Sequence, residues 1–381
     1  MSVEDISLNI KGNEETENLP PKHHSRIKKR WTCSISISFA IFTEIMGGIV
    51  SNLNKGNVIF QPEIHKIILG ILVPDDIDFS SDFWPVTDDQ GLYQSYKVSG
   101  SWYNHWQRNK PGLAAIMAGF AFNRDRSVIP NKEKLDETIP VQKPFWIDHP
   151  EKLHSEQIRV TWIGHASVLA EVDGSVILTD PIFSRRCSPV QWAGAKRYRR
   201  PACTIEELPK IDAVVISHTH YDHLDYNSVL ALNTKFGTNL QWFVPSGSKD
   251  WFEHCGIQSD RIHDMVWWQT VQMSDGTTIV YTPANHWSKR TLTDTNKALW
   301  GSWLVIGKNG SKFWFGGDTA YSDVFKQIGD KYGPMNISAI PIGNYNPRET
   351  MKFLHANPQE ALKIHQDLKS KLSFGIHWGT F

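Results

Sequence analysis

The segment from Val214 to Asp225 reads VVISHTHYDHLD: a short apolar run that opens directly onto three histidines and two aspartates. A short apolar run bounded by polar residues reads as a buried strand. Strand ends are rigid points on one edge of a sheet, and the loops leaving them are where α/β proteins place their sites. The chain is thereby held to a fold in which one sheet edge carries a concentration of metal-capable groups.

The same arrangement recurs downstream. TTIVYTPAN leads to His286, KFWFGG to Asp318 and LSFGI to His377, each at or just after the end of an expected strand. IRVTWI and VLAEV alternate like half-buried strands, and Asp173-Gly174 is a hairpin turn that returns the chain into SVILTD. LQWFVP, WLVIG and SAIPIG add further strands. The helical pattern NPQEALKIHQDLK has Asn357 as cap, Pro358 at the first position and Glu360 completing a capping box, with His365 read as packing. Many strands with interspersed helices mean an α/β layer protein.

Spacing within the cluster favours two cations over one. His218 and His220 are two residues apart and project alike from an extended chain, whereas Asp222 and His223 follow a turn and serve a neighbouring position. We expect His218, His220 and His286 at a first metal, Asp222, His223 and His377 at a second, and Asp318 bridging both. Imidazoles with carboxylates and no thiolate suit zinc, with iron or manganese as alternatives. Two such cations can share a hydroxide, so that no protein nucleophile is required.

Composition narrows the partners. The chain has 381 residues, 40% of them hydrophobic, and zero formal net charge, which argues against a basic nucleic-acid binder. Its four cysteines, Cys33, Cys187, Cys203 and Cys255, show no CxxC spacing, and a reducing intracellular compartment is expected. Residues 1–92 read as a poorly defined N-terminal region. It holds a polar tail ending in KHHSRIKKR and an apolar stretch at 31–50, close to the roughly 20 residues that span a bilayer. Glu44 interrupts that stretch, leaving a single membrane anchor there as one alternative.

More specific segments follow: TWIGHASVLAEVDG, LTDPIFSRRCSP, KRYRRPACTIEELPKIDAVVISHTHYDHLDYNSV, LWGSW, IPIGNYNPR and IHWGTF. SHTHYDH resembles the HxHxDH signature of the metallo-β-lactamase superfamily, and together these segments resemble the N-acyl phosphatidylethanolamine phospholipase D family over Trp102 to Phe381. The resemblance implies an αββα sandwich of two mixed sheets flanked by helices, formed by 93–381. It also implies that the last part of the C-terminal segment is lacking and that His377 is loosely held. The implied activity is zinc-dependent hydrolysis of N-acyl phosphatidylethanolamine to N-acylethanolamine and phosphatidic acid through a bridging hydroxide, on internal membranes and as a homodimer. The same ligand positions are implied, with Asp222 and Asp318 serving catalysis. His355 is implied as a proton donor or phosphate contact, and Asp180 as the hydrogen-bonding support of the metal histidines. His165 is left open between facing the site and a loop role.

Two stretches suit a lipid surface. Arg185, Arg186, Lys196, Arg197, Arg199 and Arg200 form a basic cluster, and Trp102, Tyr103 and Trp106 precede the apolar run Leu113 to Phe122. The HxKx4D pattern of phosphohistidine-forming phospholipases D is absent, since HWSKRTLTD places its lysine one residue too far from His286. A lactonase or thioesterase, or an inactive lipid-binding relative, stays open as an alternative.

Overall fold

In the computed structural model of the chain, the residues described are 86–106, 130–150 and 158–381, all within the unit Asp78–Phe381. The stretch at 31–50 and the run Leu113 to Phe122 lie outside them. β1 (Arg159–Gly164) turns back into β2 (Ser167–Val172), and Asp173 and Gly174 join β2 to β3 (Ser175–Thr179). Both turn residues have positive φ, 50° and 96°, as the expected two-residue hairpin requires. β4 (Ala213–Val215), β5 (Gln241–Pro245) and β6 (Ile262–Met265) then add in parallel, giving the order β6-β5-β4-β3-β2-β1. α1 (Tyr226–Phe236) follows β4.

A second sheet repeats the plan. β7 (Thr270–Gln272), β8 (Thr278–Thr282), β9 (Ser302–Ile306) and β10 (Lys312–Phe315) form an antiparallel meander, and β11 (Ile337–Pro341) and β12 (Leu372–Ile376) complete it in parallel. α2 (Val324–Tyr332) and α3 (Pro358–Asp367) are its crossover helices. The α3 capping box forms as expected: Glu360 N–H donates to Asn357 Oδ1 at 2.8 Å, and Asn357 N–H donates to Glu360 Oε2 at 3.1 Å.

Side chains of successive strand residues point to opposite faces, which builds the layers. Val168, Ala170 and Val172 of β2 pack between the sheets with Ile279, Tyr281, Trp303 and Phe313. Leu169 faces the other way, joining Val214 and Trp242 under Val229 and Leu232 of α1. On the far side Val280, Leu304 and Trp314 lie under Phe325, Ile328 and Ile364. The result is helix, sheet, sheet, helix: the mixed-sheet α/β sandwich that the resemblance implies.

Contacts between the sheets hold the end of β4. Trp303 Nε1 donates to Ile216 O at 2.9 Å and Tyr281 Oη to Ser217 O at 2.9 Å. Gly317, at φ 57°, lets the turn before Asp318 close on Ser217, because a Cβ there would fall on the Ser217 side chain. His377 follows β12 directly, and its N–H donates to His165 O at 2.9 Å, while Tyr198 N–H donates to Thr380 O at 2.7 Å. The segment expected to be loosely held is therefore tied on both sides of Trp378.

Candidate metal centre

The ends of β3, β4, β8, β10 and β12 deliver Asp180, the 218–223 loop, His286, Asp318 and His377 to one place. Donor atoms of His218, His220, His286 and Asp318 lie within 4.8 Å of one another, and those of Asp222, His223, His377 and His165 form a second such set. Asp318 stands between them. Its Oδ2 is 3.2 Å from His223 Nε2 and 3.7 Å from His286 Nε2, and its Oδ1 is 3.0 Å from His377 Nε2.

Hydrogen bonds behind the rings dictate which nitrogens face inward. Ser217 Oγ donates to Asp180 Oδ2 at 2.5 Å, so it accepts from His218 Nδ1 at 2.9 Å. His223 Nδ1 donates to Asp180 Oδ2 at 2.6 Å, and His286 Nδ1 donates to Leu354 O at 2.9 Å. Each ring therefore turns its Nε2 to the centre, and in the neutral rings of His218 and His286 that nitrogen is unprotonated. His218 Nε2 and His220 Nδ1 approach to 2.7 Å, and His223 Nε2 is buried without a hydrogen-bond partner. Ring nitrogens crowded in this way beside two carboxylates are a cradle for cations, and the nitrogen and oxygen donor set fits zinc-like ions. Asp180 Oδ2 accepts from both Ser217 Oγ and His223 Nδ1.

Electrostatics point the same way. Burial pushes His218 well below its usual value, His220 to about 4 and His286 to about 3, keeping these rings neutral as ligation demands. Burial alone would raise the two carboxyls, but His223 beside Asp222, and His377 and His223 beside Asp318, hold both well below the carboxylate range. Burial would also lower His223 and His377. Asp318 above all overrides it, raising His223 well above its usual value and His377 to about 9. The pocket thus favours positive charge between its two carboxylates.

Strain accompanies the convergence. His165, Asp180, Asn344 and His377 all have positive φ, from 32° to 63°, a conformation that non-glycine residues hold only where the surroundings enforce it. His355 joins the same place: its Nδ1 is 3.8 Å from Asp318 Oδ2 and its Nε2 lies 3.1 Å from Asn344 Nδ2.

Residues 176–378 match the family model described as the beta-lactamase superfamily domain. An N-acyl-phosphatidylethanolamine-hydrolyzing phospholipase D 1 of Caenorhabditis elegans is 39% identical over 311 residues, covering 78% of this chain and 85% of that protein. The chain belongs to the N-acyl-phosphatidylethanolamine-hydrolysing phospholipase D family. A mitochondrial protein of the same description from Saccharomyces cerevisiae is 34% identical over 330 residues, covering 76% of this chain and 69% of that protein. Among solved structures, a metallo hydrolase of Ignicoccus hospitalis is similar at 24% identity over 59% of this chain and 84% of that one, with a TM-score of 0.45.

The expected lipid contacts of this family member separate on inspection. Trp102 is buried in the core between the sheets, its indole N–H donating to Ser246 O at 3.2 Å, and so presents nothing to a membrane. Trp106 is half-buried, with its indole N–H on Asp323 at 2.9 Å. Arg197 donates to Ile182 O at 2.7 Å and Arg199 pairs with Asp136, so both are spent on the fold. Arg186 is half-buried and donates to Gly194 O. Arg185, Lys196 and Arg200 are exposed.

Three contributors carried no signal in the sequence. Ser217 relays Asp180 to His218, Asn344 meets His355, and Asn104 donates to His286 O at 2.5 Å from the N-terminal side of the fold. A cleft of about 300 Å³ borders the ligand loop, lined in part by Tyr221, Asp225, Trp251 and Arg290. Among the described residues, no helix is long and apolar enough to cross a membrane.

Proposed function

We propose that the chain hydrolyses N-acyl phosphatidylethanolamine to N-acylethanolamine and phosphatidic acid, with two zinc ions as cofactor and iron or manganese as substitutes. The observation that carries this reading is the inward crowding of histidine ring nitrogens around Asp318 in a chain of this family. His218, His220, His286 and Asp318 would hold one ion, and Asp222, His223 and His377, with Asp318 shared, the other. Bound there, two cations lower the pKa of a water toward ~7 and neutralise charge building on a phosphoryl group.

The protein's own part is orientation. Asp180 and Ser217 lock the rings of His223 and His218, and Leu354 O locks His286, so the donors are set before substrate arrives. His355 is buried and its pKa is pushed down to about 3 by that burial, so it acts as a neutral ring. With Asn344 Nδ2 donating to its Nε2, the N–H sits on Nδ1 and faces the centre, placed to donate a hydrogen bond to a phosphoryl oxygen rather than to deliver a proton. Arg185, Lys196 and Arg200, exposed beside the chain that leads from Asp180 to β4, are the cations offered to a phospholipid surface, at roughly 1 kcal/mol each. Peripheral attachment to internal membranes and a homodimeric state belong to the same proposal.

Hydrolysis of the substrate in water enriched with heavy oxygen tests the reaction. The label is expected in phosphatidic acid, with N-acylethanolamine unlabelled and negligible transfer to added butanol. Label in phosphoryl N-acylethanolamine, with diacylglycerol released, would place cleavage on the glycerol side. Label in free fatty acid, or faster turnover of a lactone or thioester, would assign a carbonyl hydrolase instead.

A further inference from the structure

His165 occupies the turn between β1 and β2 at φ 55°, and that conformation lets one residue address two others. Its Nε2 lies 3.1 Å from Asp222 Oδ2. A carboxylate only accepts, so Nε2 carries the proton. The His165 carbonyl accepts the N–H of His377 at 2.9 Å and the indole N–H of Trp162 at 2.8 Å, while its own N–H donates to Thr380 Oγ1 at 3.1 Å. Its ring packs on that of His377, with 4.3 Å between centroids. The first set of donors is braced elsewhere, by Ser217 at His218 and by Leu354 O at His286.

The same Nε2 lies within 4.8 Å of the donors of Asp222, His223 and His377, which raises the question of direct ligation. Ligation would need an unprotonated Nε2 and would move the proton to Nδ1, which is buried with no hydrogen-bond partner. A buried N–H left without an acceptor forfeits a hydrogen bond it makes freely in water. Donation to Asp222 leaves only a lone pair unmatched, the smaller loss.

We propose that His165 is a positioning residue for the second cation position: its Nε2–H orients the Asp222 carboxylate and its carbonyl pins the backbone of His377. This rests on the reading that Asp222, His223 and His377 hold that cation. It adds that two of the three are set by a residue from a different strand pair.

Metal-free protein titrated with cobalt(II), read by its visible absorption and by chelator competition, tests the role. Wild type should take up two equivalents. His165→Ala should weaken the second by about 10–100-fold, the range for partners that orient a ligand, and leave the first unchanged. His165→Gln, whose amide nitrogen stands as many bonds from Cβ as Nε2, should restore most of the second equivalent and its absorption, whereas the shorter His165→Asn should not. Thermal unfolding of the metal-free proteins reports folding separately, and if His165→Ala fails to fold, the contrast between Gln and Asn decides. An unchanged second equivalent in His165→Ala, or Gln and Asn behaving alike, would overturn the role. Asp222→Asn distinguishes the two levels. If it loses the second equivalent while His165→Ala keeps it, only the positioning role falls; if it keeps both, the assignment of Asp222 falls and the role with it.

Discussion

The two sheets contribute to the centre in different ways. The first supplies His218, His220, Asp222 and His223 from one loop after β4, with Asp180 from the neighbouring β3 behind them. The second supplies His286, Asp318 and His377 singly, from the ends of β8, β10 and β12. Within the loop, relative positions follow from a few consecutive backbone dihedrals. On the second sheet they follow from strand register and from how the sheets pack, through contacts such as Gly317 against Ser217 and His377 against His165. A local cluster survives small shifts of the scaffold; single side chains on separate strands depend on it. The difference teaches that half of this centre is a motif and half is a consequence of packing.

The strongest challenge to that view is Asp318→Asn, because this one side chain of the second sheet lies among donors of both sets. Orienting partners alone are worth 10–100-fold, so loss of a shared donor should reduce hydrolysis by more than about a hundredfold. Metal content should fall at both positions. If the loop alone retains both metals and full turnover in metal analysis and lipid assay, the two halves are not interdependent.

Gly317→Ala probes the packing without touching a donor. The positive φ and the overlap with Ser217 should destabilise the fold by about 1–3 kcal/mol. Thermal unfolding should show the loss, and chelator should strip metal faster than from wild type. Lower stability with unaltered metal retention would mean that the approach of the β10 turn to Ser217 supports the fold and not the centre.

The smallest effect is expected at Asn357→Ala, which removes the cap of α3 in the outer layer behind the second sheet. Loss of a side-chain cap costs about 1 kcal/mol. Denaturant unfolding should register it while metal content and turnover hold. A fall in turnover would instead show that the α3 cap helps to place His355, two residues upstream.

Local physics made much of this readable from the chain alone. The HTHYDH cluster after an apolar run, the Asp173-Gly174 turn and the Asn357 capping box all depend on residues within a few positions of one another, and the rule that strand ends carry sites named His286, Asp318 and His377. What the sequence by itself determined was the kind of chemistry and the strands that deliver it. Tertiary structure decided which bystanders matter. Asn104, Asn344 and Ser217 are ordinary polar residues until the fold sets them against His286, His355 and His218. It also decided the fate of amphipathic side chains, burying Trp102 between the sheets and spending Arg197 and Arg199 on the fold, while Arg185, Lys196 and Arg200 stay at the surface. An indole or a guanidinium serves core and surface equally well, so its role is set by the partners that long-range packing brings within reach, and no local pattern encodes them.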